Sequence, residues 1–175
     1  MGDTRMNGQR ILALGKVLLW TLVIAVCAAH AASTKSDWQG TVSHVTDGDT
    51  LWVRPQGGGE PRKIRVQGID APEICQLYGE AARSALTAHV LGQRVQVDVQ
   101  RVDQYGRLLA LITLQGQDIG AWMVSQGHAW SYRYRRDGGP YAAQESQARL
   151  QGRGLFASAE PERPRDFRKR HGSCH

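Results

Sequence analysis

The chain has 175 residues, with 22 Lys plus Arg against 16 Asp plus Glu and a formal charge of +6. Its 41% apolar and 22% charged residues exclude a disordered, collagen-like or polytopic chain, and three cysteines are too few for a disulfide-built miniprotein. What remains is one basic domain whose charge favours an anionic partner and says nothing about its fold.

Arg5, Arg10 and Lys16 precede an apolar run from Val17 to Ala29, broken only by Thr21. Ala29-His30-Ala31 then offers small residues at the two positions a signal peptidase reads. A positive start, a short apolar middle and a small-residue exit make residues 1–31 a secretory signal. Cleavage after Ala31 delivers a periplasmic or secreted protein. A membrane-anchored chain stays open as the competing reading, because Ile11 to Ala32 stretches across a bilayer if Lys16 snorkels. In an oxidising compartment Cys75 and Cys174 are an obvious pair, closing a loop of about 100 residues. The alternative is a buried Cys75 with a free thiol at Cys174.

Trp38 to Val45 mixes β-branched and aromatic residues and ends in Thr46-Asp47-Gly48-Asp49, which predicts a strand and a turn. Thr50 to Arg54 is a second strand, and the Pro- and Gly-rich segment 55–61 a hairpin loop. Lys63 to Gln67 alternates, so Ile64 and Val66 share one face and Arg65 takes the other. From Glu80 to Leu91, Ala82, Leu86 and Val90 recur every fourth residue, and Gly92 follows, which predicts a helix. Arg94 to Val99 returns to alternation, with Val95, Val97 and Val99 on one face. Arg107 to Leu114 is more uniformly apolar, as a strand covered on both sides is. Ile119 to Gln126 and Tyr141 to Gln151 are two further helices, closed by Gly127 and by Gly152 and Gly154.

These elements predict a mainly β chain with α: a five-stranded Greek-key barrel of the oligonucleotide-binding (OB) fold, plus three helices, over residues 32–158. A basic tail, residues 159–175, carries Arg163, Arg165, Arg168, Lys169 and Arg170. It either adds salt-sensitive attraction to nucleic acid or is solvated and disordered. His44, His89 and His128 show no transition-metal spacing, and Trp122 and Trp130 read as core.

Three clusters at strand ends carry the chemistry: Asp47-Gly48-Asp49-Thr50, Ile69-Asp70-Ala71-Pro72-Glu73 and Asp103-Gln104-Tyr105-Gly106-Arg107. Each alone reads equally well as an ordinary turn. Together they hold what phosphodiester hydrolysis needs. Asp49 and Asp70 offer two carboxylates to a hard dication, which takes oxygen ligands. Glu73 is set to accept a proton from water, or to hold that water in line. Arg65 and Arg107 supply planar forks that suit the negative charge growing on phosphate oxygens.

The strings VTDGDTLWV, KIRVQGIDAPE, QLYGEAAR and VDQYGRLLA, in that order, resemble the thermonuclease (staphylococcal nuclease-like) family, from about Trp38 to about Ala157. The resemblance implies a five-stranded OB barrel with three helices. It also implies a calcium-dependent endonuclease that cuts DNA and RNA at the bond to the 5′ oxygen and leaves 3′-phosphate ends. By motif it makes Asp49 and Asp70 the Ca2+ carboxylates, Ala71 the donor of a backbone carbonyl, and Asp47 their acidic neighbour. Glu73 becomes the general base, and Arg65 and Arg107 the phosphate-binding arginines. Tyr105 sits near the substrate phosphate, and either Tyr132 or Tyr134 flanks the base. Gln104 stands where the best-known member has a lysine, and the loop from Ile74 to Tyr78 is shorter than that member's. The expected substrates are DNA and RNA, preferentially single-stranded, acted on by a monomer. The runner-up reading is a non-catalytic OB-fold module that binds nucleic acid without cutting it.

Overall fold

The computed structural model describes residues 36–133 and 137–174. They lie within one compact unit, Lys35–His175. The proposed signal or anchor, residues 1–31, and Tyr134 fall outside the described residues. Among those described, no helix is long and apolar enough to cross a membrane.

Strand β1 (Ser36–Val45) pairs antiparallel with β2 (Thr50–Pro55), and β2 with β3 (Arg62–Val66). A two-residue strand, β4 (Ile69–Asp70), leads through a loop into helix α1 (Gly79–Val90). Strand β5 (Arg94–Val102) returns beside β1, and β6 (Leu108–Leu114) folds back on β5. The sheet closes because β3 and β6 run parallel, with Ile64, Arg65 and Val66 opposite Leu108, Leu109 and Ala110. Irregularities of register in β1 between Val42 and His44, and in β5 between Val99 and Arg101, supply the bends that closure needs. The result is a five-stranded OB-type barrel, extended by the short β7 (Gln117–Asp118).

Period-two alternation fills the barrel. Val42, Leu51, Val53, Ile64, Val66, Val95, Val97, Ala110 and Ile112 all face its core. Strand β6 is less enclosed than its composition suggests, since its burial alternates and Leu109 and Leu111 are only half-buried. Ala82, Leu86 and Val90 of α1 cover one end as a single apolar stripe. Helix α2 (Ile119–Ser125) begins at Asp118, whose carboxylate accepts the Ala121 N–H at 3.0 Å. After β8 (Trp130–Ser131), which pairs with β4, helix α3 (Ala142–Leu150) and a 3-10 turn (Gly154–Ala157) build a smaller cluster around Trp130, Ala148, Leu155 and Phe156. Trp122 packs against the main core and stacks on His89.

One expectation is corrected. The described residues contain four helices, because the tail folds as α4 (Pro164–His171) instead of staying solvated and disordered. Pro164 sits at its first turn, where a missing N–H costs nothing, and four cationic residues occupy its last turn, where the helix dipole favours them.

His128 supplies a stability test away from the barrel's chemistry. Its Nδ1 lies 3.1 Å from the Tyr78 hydroxyl, and burial pulls its pKa down. The unfolded chain therefore takes up this proton before the native state does. Stability is expected to hold at neutral pH and to fall as pH drops below about 6.5. In melting curves between pH 7.5 and 5, His128→Gln should lose that acid-side slope. An unchanged slope would assign it to other groups.

Candidate active site

The central cluster forms where β2 begins and β3 and β4 end. Thr50 stands opposite Arg65 in the β2–β3 ladder, so Asp49, one residue earlier, comes within reach of the Arg65 side chain. The Arg65 fork donates through Nη1 to Asp49 Oδ1 at 2.6 Å and through Nη2 to Asp70 Oδ1 at 3.1 Å. Both carboxylates are buried, at 3% and 8% exposure. Asp49 is held from every side, since Oδ1 also accepts from the Thr50 hydroxyl and Oδ2 from the Ala71 N–H, each at 3.0 Å. Gly48 has a steric reason. A Cβ there would lie 2.7 Å from Ala71 Cβ and 2.9 Å from Ala82 Cβ, so any side chain would push the turn off α1.

The electrostatics follow from burial. Asp47, whose Oδ1 accepts the Asp49 N–H at 3.0 Å, is pushed up to about 7, first by burial and then by the neighbouring Asp49 charge. Asp70 is raised by the same two causes, against the pull of Arg168 and Arg65. The Asp49 carboxylate holds Arg65 firmly in its charged form despite burial. The site therefore concentrates negative charge in a place where water screens it poorly.

Glu73 closes one side. Its N–H donates to Gln76 Oε1 at 3.1 Å, and its carbonyl accepts from the Gln76 N–H at 2.8 Å. Gly79 lets α1 start hard against this loop, because a Cβ there would sit 1.9 Å from the Glu73 carbonyl oxygen. The Glu73 carboxylate accepts from Arg168 Nη1 at 2.7 Å, and the same guanidinium reaches Asp70 Oδ1 at 3.4 Å. Cys75 and Cys174 are joined as a disulfide, with their Cα atoms 5.8 Å apart.

Arg107 is placed differently. Alternation along β6 puts it on the face of Leu109, the residue opposite Arg65, but two positions nearer the β5–β6 turn. Its Nε donates to Asp103 Oδ2 at 2.7 Å, while Asp103 Oδ1 accepts the N–H groups of Tyr105 and Arg107, both at 2.9 Å. These bonds hold Asp103 well below the usual carboxylate range, although burial opposes them. Arg107 makes no bond to the acid cluster among the described residues. Its terminal nitrogens are left to point away from Asp103 as a fork without a protein partner.

Of the other expected residues, Tyr105 is 73% exposed, with the Arg107 guanidinium 5.3 Å from its ring. Tyr132 is 47% exposed and lies just beyond β8, where its N–H donates to the Gly68 carbonyl at 2.8 Å. The structure thus gathers Asp47, Asp49, Arg65, Asp70, Ala71 and Glu73 in one cluster, and sets Arg107 and the tyrosines around it. Sequence reasoning missed three participants: Arg168, Gln76 and Asp103. Only Asp103 had a local signal, as an aspartate two residues before the N–H it caps.

The donor set fits a hard dication. Every candidate ligand is oxygen, and the pocket already holds a guanidinium cation between its two buried carboxylates. Among the described residues no three His, Cys, Asp or Glu side chains form a protein cage for a metal. An ion resting on Asp49, Asp70 and the Ala71 carbonyl therefore has to keep several waters.

Comparison with known proteins decides the kinship. The family model described as Staphylococcal nuclease homologue matches residues 63–158. The chain belongs to that family. It is thereby grouped with nucleases, a class of hydrolases. It is 35% identical over 164 residues to a micrococcal nuclease of Shigella flexneri, covering 86% of this chain and 92% of the relative. An uncharacterized endonuclease of Haemophilus influenzae is 32% identical over 154 residues, 88% of this chain and 85% of that one. A probable staphylococcal-like nuclease of Oryza sativa subsp. japonica is 38% identical over 107 residues, but this chain spans only 29% of its length. The family match takes in Asp70, Glu73 and Arg107, while Asp47 and Asp49 lie just before it.

Proposed function

We propose that the chain is an exported, calcium-dependent nuclease that hydrolyses phosphodiester bonds of DNA and RNA. It cuts at the bond to the 5′ oxygen and leaves 3′-phosphate ends, with single strands preferred because their backbone bends into a small site. The observation that carries this reading is the Arg65 fork spanning two buried carboxylates with Glu73 beside them. Mere binding of nucleic acid has no use for such a cluster, since carboxylates repel phosphate. The secretory layout of residues 1–31 and the Cys75–Cys174 bond support export.

Bound calcium, held by Asp49, Asp70 and the Ala71 carbonyl, would offset charge on a phosphate oxygen. Glu73 accepts the proton of the attacking water at its carboxylate. Arg65 and Arg107 bind the phosphate oxygens that gain charge as the water attacks. Tyr105 and Tyr132, both exposed, offer rings to the sugar–phosphate chain and to a base, a stack worth roughly 1–3 kcal/mol.

Digestion of circular single-stranded DNA with calcium, and with a chelator, tests this reading. Calcium should give linear fragments with 3′-phosphate ends, and chelation should stop cutting. Full activity in chelator would overturn the metal assignment, and intact circles in calcium would leave only binding. Glu73→Gln should lower turnover by about 10²–10⁴ while substrate affinity changes little.

A further inference from the structure

Three contacts hold the C-terminal segment against the loop that carries Glu73. Buried Gln76 donates through Nε2 to the Glu162 carbonyl at 2.7 Å. Arg168, in the middle of α4, reaches Glu73 Oε1 at 2.7 Å and Asp70 Oδ1 at 3.4 Å. The Cys75–Cys174 bond then fastens the end of the chain, 99 residues on, to the same loop. α4 has too little apolar surface to dock by burial alone, since Pro164 is its only buried residue. Its position depends on these polar and covalent ties.

Arg168 sits where its charge matters most. One guanidinium bridges the carboxylate read above as the general base and a carboxylate read as a metal ligand. While it is there, Glu73 shares a lone pair that a water proton needs. A dication arriving at Asp70 also meets a fixed positive charge within a few ångströms, in surroundings of low dielectric constant. Pull-off is opposed by the disulfide, which keeps the guanidinium at high local concentration.

We propose that α4 is an autoinhibitory clasp: Arg168 is a built-in counter-cation of the acid site, displaced before Asp70 and Glu73 serve metal and water, and the Cys75–Cys174 bond holds it in place. The inference rests on the metal-dependent reading given under Proposed function. Its energetic scale is that of a charge-assisted hydrogen bond, so losing Arg168 should tighten calcium binding roughly tenfold.

The test is calorimetric titration of calcium into three oxidised-buffer samples: the unaltered chain, Arg168→Ala, and the double variant Cys75→Ser with Cys174→Ser. Tighter binding in Arg168→Ala, and in the double variant to a similar or smaller degree, is the expected result. Equal or weaker binding in Arg168→Ala overturns the proposal. So does a drop in turnover at unchanged calcium affinity, which would make Arg168 a phosphate-binding residue. Tighter binding in Arg168→Ala with none in the double variant overturns the part given to the disulfide. If the unaltered chain and both variants all fail to bind calcium, the metal reading falls and takes this inference with it. Calcium binding that Arg168→Ala leaves unchanged refutes the clasp alone.

Discussion

Arg107→Ala is expected to slow phosphodiester cleavage by about 10²–10³ with little loss of stability, because its fork acts on charge that appears only during the reaction. The side chain is anchored at Nε by Asp103, and its terminal nitrogens bond to no other protein group. That geometry holds a donor pair ready without spending it on the fold. Asp103→Ala should reproduce part of the defect, since it frees the arginine to rotate and also unties the turn N–H groups of Tyr105 and Arg107. Saturating single-turnover rates, with unfolding curves as control, measure both effects. A change in base preference at unaltered rate would contradict the assigned role.

Arg65→Ala should do more, and differently. Here the guanidinium is structural as well as chemical, because it neutralises Asp49 and Asp70 together. Removing one partner from a buried ion pair leaves uncompensated charge and costs about 3–5 kcal/mol. Cleavage should fall by about 10²–10³ as well, through loss of a phosphate donor. Arg65→Lys keeps the charge but cannot bridge two carboxylates, so it should recover some stability and little activity. Urea unfolding at neutral pH, followed by rates on folded protein, separates the two effects. If Arg65→Ala melts like the unaltered chain, the buried pair contributes nothing to the fold.

The barrel and most of the acid cluster were legible because their determinants are local. Alternation at Ile64 and Val66 forces Arg65 outward, and turn residues at Asp47–Asp49 and Asp70–Glu73 fix the strand ends. The two-residue strands β4 and β8 were not legible, since a period cannot be read from so few positions. The fourth helix was hidden for another reason. Its eight residues are nearly all polar, and the ties that hold it come from Glu73, Gln76 and Cys75, some ninety residues away. Arg168 therefore looked like one more tail cation, when only the folded chain reveals which arginine turns inward.

The covalent link between Cys75 and Cys174 has an effect that outlasts chemistry at the site. It encloses the exposed β5–β6 turn, Asp103–Gly106, within its loop. A protease that nicks this turn cuts the polypeptide but does not release either piece, since both stay tethered through sulfur. In a protein-digesting medium, such a molecule can survive scission as a two-fragment complex and keep its barrel closed.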